Sequence, residues 1–146
     1  MEEHKTDNTE SKQCPKIKVV IVKPCEIPCV EMIDRNLESM QSVVGGLIEQ
    51  VCPFDDDVSL ICNEEGKLEG LTPNRVLRDE DGEIYDFIAG TFFIAYTPPD
   101  SEQFESLPDE LCEKYKEVFK YPEFIFMSNR KIKVFRIGYD DFSDVS

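Results

Sequence analysis

The chain has no tryptophan, a single histidine, and no apolar run near the ~20 residues that a membrane-spanning helix needs. That histidine, His4, lies in the polar opening MEEHKTDNTESKQCP, so a serine or cysteine nucleophile has no histidine base within the apolar part of the chain. The same opening lacks the apolar stretch of a secretion signal, which predicts a cytoplasmic protein. Basic residues are scarce: 16 Lys and Arg stand against 31 Asp and Glu, for a formal net charge of -15. Such a balance repels phosphate backbones and anionic bilayers, and argues against direct nucleic-acid and membrane partners.

What is present suits one core. A chain of 146 residues with 40% hydrophobic side chains fits one domain. Residues 16–137 read as that domain, between a disordered polar tail at 1–15 and an acidic flexible tail at 138–146. The six cysteines are Cys14, Cys25, Cys29, Cys52, Cys62 and Cys112. Only Cys25 and Cys29 are close, and neither a Cys-x-x-Cys pair nor a downstream histidine accompanies them, so the spacing does not match a zinc site. In a reducing compartment they read as small apolar fillers, and neither metal nor cofactor is expected.

Along the chain, Ile17, Val19, Val20, Ile21 and Val22 predict a central strand buried on both faces. Residues 26–33 alternate apolar and polar after Pro28, as an edge strand paired with the first would. Asp34 or Asn36 can cap a helix carrying Leu37, Met40, Val43 and Val44, which Gly45-Gly46 would end. Residues 47–54 and 58–62 form two short arms around Asp55-Asp56-Asp57. That cluster reads as a solvated turn, because it lacks the alternating ligands, glycine and closing glutamate of a calcium loop.

Gly66 suits a turn with positive φ. Residues 70–83 read as a long structured loop with a turn at Asp81-Gly82. Residues 84–88 fit a strand or one helical turn, and Thr91 to Tyr96 a buried strand in which Phe92 and Phe93 serve the core. Ser106-Leu-Pro-Asp109 resembles a cap for a second helix bearing Leu111, Tyr115, Val118 and Phe119. A late hairpin follows, turning at Asn129-Arg130. The sum is a single α+β domain, a mostly antiparallel sheet with about two helices packed on one face.

Four blocks in order carry a family resemblance: Val44-Gly-Gly-Leu-Ile-Glu49, Cys62-Asn-Glu-Glu-Gly-Lys67, Gly70-Leu-Thr-Pro-Asn-Arg75 and Ile88-Ala-Gly-Thr-Phe-Phe-Ile94. The chain resembles the domain of unknown function 3846 family, small proteins encoded by Firmicute genomes, conjugative elements and phages, from about Lys16 to about Phe126. The resemblance implies an accessory role and no settled activity.

The candidate ligand residues are Gly45, Gly46, Glu49, Asn63, Glu64, Glu65, Asn74 and Arg75. Exposed N–H groups at Gly45-Gly46 could cradle an anion, although glycines that follow a helix more often cap it. Arg75 could grip a phosphate or carboxylate at two points while Asn63 and Asn74 read hydrogen-bonding edges. Alternatively the asparagines satisfy their own turns and Arg75 pairs with Glu64 or Glu65. Glu49, Glu64, Glu65 and Asp86 could hold an acid–base pair or magnesium if they met in a cleft.

The expectation is therefore a non-enzymatic accessory protein that binds a small polar or nucleotide-like ligand, or a host protein. The alternative is an acidic DNA-mimic decoy against a restriction or defence protein. A metal-dependent hydrolase is the residual enzymatic reading. Strand edges near Pro28 and the final hairpin are where chains could pair as homo-oligomers.

Overall fold

A β-branched run with no polar interruption at its centre forms β1, Lys16–Val22. Ile17, Val19 and Ile21 go to one cluster of buried side chains, Val20 and Val22 to another, because successive residues of a strand face opposite ways. The strand is thus buried on both sides, as its composition predicts. The structure is a computed structural model that describes residues 15–136. Residues 1–14 of the tail assigned to 1–15, and all of the tail assigned to 138–146, lie outside the described residues; Pro15, the last residue of the first tail, accepts a backbone hydrogen bond from Arg35 (2.8 Å).

The principal sheet has the order β2 (Cys29–Asp34), β1, β7 (Phe92–Tyr96), β4 (Val58–Asn63), β3 (Ile48–Val51). Every neighbouring pair is antiparallel. β2 takes the edge that Pro28 favours. The middle belongs to β7 rather than β1, and Phe92, Phe93, Ile94 and Ala95 of β7 are each 0% exposed. Helix α1, Leu37–Val44, starts where the Asn36 side chain accepts the Ser39 N–H (2.7 Å) and stops at Gly45.

The single-domain α+β architecture stands, but the two helices do not share a face. Met40 and Val44 of α1 pack with Ile17, Val19, Ile21 and Phe93. Cys112, Tyr115 and Phe119, from helix α2 (Asp109–Val118) and its C-cap, pack with Val20, Val22, Leu60, Phe92 and Ile94 on the opposite side. The central strands are apolar at consecutive positions, so both faces need cover and one helix goes to each.

The region 70–83 is also different from the expected loop. Pro73–Arg78 forms β5, paired antiparallel with β6 (Ile84–Ala89) across the Asp79–Gly82 turn, and Leu77 and Ile88 enter the α2-side core. Proline is admitted because it stands first in the strand. Ser106 does not cap α2. Its Oγ accepts the Lys18 N–H (3.0 Å), and the N-cap is Pro108 with no side-chain hydrogen bond. The late hairpin consists of β8 (Glu123–Ser128) and β9 (Lys131–Arg136), and Asn129 and Arg130 have φ of 54 and 65, the left-handed pair that a two-residue turn requires.

Asp56, between β3 and β4, ties its loop to α2 by accepting from Lys114 Nζ (2.6 Å) and Tyr115 Oη (2.8 Å). These hydrogen bonds hold its carboxyl below the usual value, while burial, then Asp56, push the Tyr115 phenol up. A carboxyl lowered on folding contributes stability that is present above its unfolded value, near pH ~4, and is lost as the pH falls through the folded value. Asp56→Asn should therefore lower the urea midpoint at pH 7, with the gap to wild type closing below about pH 4. A gap independent of pH would mean that the charge on Asp56 contributes nothing.

Candidate functional site

The antiparallel register of β3 with β4 sets Ile48 opposite Asn63 and Glu49 opposite Cys62. The chain then turns through Glu64 and Glu65, where the Glu64 N–H donates to Leu47 O (2.8 Å). This brings Glu49, Asn63, Glu64 and Glu65 to the lining of a cleft of about 420 Å³, closed on the far side by Asp86, Ile88 and Ala89 of β6. Four of the eight candidates therefore meet.

Asn63 is the brace of this turn. Its Oδ1 accepts the Glu65 N–H (2.8 Å), and its Nδ2 donates to Val44 O (3.3 Å) and Glu69 Oε1 (3.4 Å). Gly46 lies against it, where a Cβ would come within 2.8 Å of that nitrogen. The Gly45 and Gly46 N–H groups both donate to Gln41 O, at 2.8 and 3.1 Å, and Gly45 has φ 80. The pair therefore ends α1 and offers no free amide to an anion; Gly45 lines a separate groove with Leu71 and Gly90.

Glu49, Glu64 and Glu65 are exposed at the cleft. Lys67 is ion-paired with Asp86 and stands 4.6 Å from the Phe87 ring centroid. Four carboxylates and one ammonium thus border an apolar floor of Leu77, Ile88 and Ala89, and the cleft is negative. Burial, with Glu49 and Asp86 behind it, pushes the Cys62 thiol up to about 11, so it carries little thiolate at neutral pH. Gly66 does not have positive φ. It is needed because a Cβ would meet Ala89 O at 2.6 Å, which lets the turn close on β6.

Asn74 and Arg75 are elsewhere, and the expectation that they share this rim is overturned. They are 0% and 1% exposed. Asn74 Nδ2 donates to Val22 O and Gly90 O, both at 2.9 Å, bridging the β5–β6 hairpin to the sheet. Arg75 donates through Nε and Nη2 to Phe119 O (3.2 and 2.8 Å), through Nη2 to Glu26 O (2.7 Å), and through Nη1 to Asn74 Oδ1 (2.8 Å). Burial pulls the guanidinium below its ordinary value, opposed by the Glu123 carboxylate. Polar residues in a presumed loop invite a solvent-facing reading; in β5 they are buried at consecutive positions.

The model of the family described as domain of unknown function (DUF3846) matches residues 17–120. The chain belongs to this family. No curated protein and no solved structure matches it. The DUF3846 match contains the cleft and the Arg75 clamp, and ends before the β8–β9 hairpin. Among the described residues of this DUF3846 protein, no group of three or more His, Cys, Asp or Glu side chains could hold a metal ion, and no helix is long and apolar enough to cross a membrane.

The expected site omitted Lys67 and Leu68, which also line the cleft. Lys67 closes one of the four family blocks and Leu68 follows it, but only the approach of β6 shows that they face a cleft. Removing the buried guanidinium leaves main-chain acceptors unpaired, so Arg75→Ala should cost about 3–5 kcal/mol of stability in chemical denaturation. A loss no larger than that of an exposed Arg→Ala change would mean that the clamp is not structural.

Proposed function

We propose that this protein is a non-enzymatic, cytoplasmic accessory protein of a phage or mobile element, and that it binds a small polar ligand in the cleft of Glu49, Glu64 and Glu65. The observation that carries the reading is the convergence of these carboxylates over an apolar floor, with the cleft's cation, Lys67, already paired to Asp86. An amine or guanidinium on a small apolar body answers both features, since orientation in a largely apolar pocket falls to a few placed polar groups. Within the nucleotide-like class, the charge favours nucleoside- or base-like amines over phosphate-bearing ones. A host protein would enter by a lysine or arginine side chain.

Thermal shifts and native mass spectrometry with polyamines, nucleosides and nucleotides test this. Amines should stabilise the protein in a salt-sensitive way, and Glu64→Gln and Glu65→Gln should each weaken binding about two- to fivefold, as expected for exposed ion pairs. If the amine panel leaves the melting temperature unmoved, or if Asp100→Asn weakens binding as much, the cleft is not the site.

A further inference from the structure

The chain-wide charge of -15 is a sum, and the β8–β9 hairpin is its local exception. Residues 123–136 contain Arg130, Lys131, Lys133 and Arg136 against one acid, Glu123. That acid is turned inward: it is 9% exposed, its Oε1 accepts the Val76 N–H (2.9 Å), and Oε2 lies 3.5 Å from Arg136 Nε. Arg130, Lys131 and Lys133 are exposed and have no ion pair among the described residues.

The same ribbon displays aromatic rings. Its register sets Phe124 opposite Phe135, Phe126 opposite Lys133 and Ser128 opposite Lys131, and side chains opposite each other share a face. One side therefore carries Phe124, Phe126 and Phe135, exposed by 61%, 43% and 46%, followed toward the turn by two lysines. Phe124 and Phe126 have ring centroids 5.9 Å apart. Beside them, Arg130, Lys131 and Lys133 line a cleft of about 630 Å³ together with Arg78, Glu83 and the half-exposed ring of Tyr85.

We propose that this face binds a short single strand of nucleic acid, with the phosphates held by Lys131, Lys133, Arg130 and Arg78, and bases stacked on Phe126, Phe124 and Phe135. Aromatic faces interleaved with cations are what sequence-tolerant single-strand binding requires. Other occupants explain less. A two-fold pairing of two such faces with the ribbons parallel would set lysines against lysines. An anionic bilayer is an extended plane and would lie against more of the acidic body than a strand confined to the ribbon. At physiological salt a Debye length of about 8 Å screens that body from a strand on the hairpin. The face is separate from the acidic cleft, so this site and the amine site stand or fall independently.

Fluorescence anisotropy of the full chain with a labelled ten-nucleotide oligothymidine or oligouridine is the test. Binding is expected at low salt, with log affinity falling against log salt at a slope of roughly -2 to -3 for three or four phosphate contacts. Phe126→Ala should weaken it at least about fivefold through lost stacking. Lys131→Glu with Lys133→Glu should abolish it. Both variants change exposed side chains and should keep the wild-type denaturation midpoint, which separates lost binding from lost fold. The proposal is overturned if no strand binds, if these variants bind as wild type does, if a mononucleotide or a duplex binds as tightly as the ten-mer, or if phosphatidylserine vesicles capture the protein in preference to the strand.

Discussion

A guanidinium taken out of water must be surrounded by acceptors, and meeting that demand at Arg75 sets much of this fold. The acceptors are main-chain carbonyls from three separate stretches: Glu26 before β2, Phe119 at the end of α2, and Asn74 within β5, which also lends its side-chain oxygen. Asn74 extends the network to Val22 and Gly90. A buried charge with five donors is satisfied only when all these stretches are in place, so the β5–β6 hairpin, the end of α2 and the start of β2 are coupled. The Glu123 carboxylate, which accepts the neighbouring Val76 N–H, brings the final hairpin under the same constraint.

Around that clamp the charge is distributed unevenly. The cleft beside β4 and β6 gathers Glu49, Glu64 and Glu65, whereas the turn end of β8–β9 gathers Arg130, Lys131 and Lys133. Both lie on elements that meet the β5–β6 hairpin, so the hairpin separates regions of opposite sign. Net charge governs long-range behaviour; within a Debye length, the local arrangement decides which ligand is attracted.

The strands of the main sheet, the capped helix α1 and the late hairpin were legible because their signals are local: β-branched runs, Asn36 ahead of a helical period, and Asn129-Arg130 between alternating segments. Pro73-Asn-Arg75 was not, since turn-forming types in a row read as loop until a partner strand and buried acceptors are known. Half of the candidate site was likewise legible. Asn63, Glu64 and Glu65 are neighbours in sequence, and Glu49 joins them through a register that one hairpin sets. Asn74 and Arg75 appear equally functional in one dimension, yet their partners lie as far as 52 residues away.

The sequence by itself determined the strands of the main sheet, the helix that Asn36 caps and the late hairpin, that both faces of the first strand need cover, and that the chain belongs with DUF3846. Tertiary structure alone decided which helix covers which face, that the most ligand-like arginine is an internal tie, and that the acidic and basic side chains separate. The reason is physical: secondary structure follows interactions a few residues apart, while burial and electrostatic environment depend on distances that only the folded chain defines.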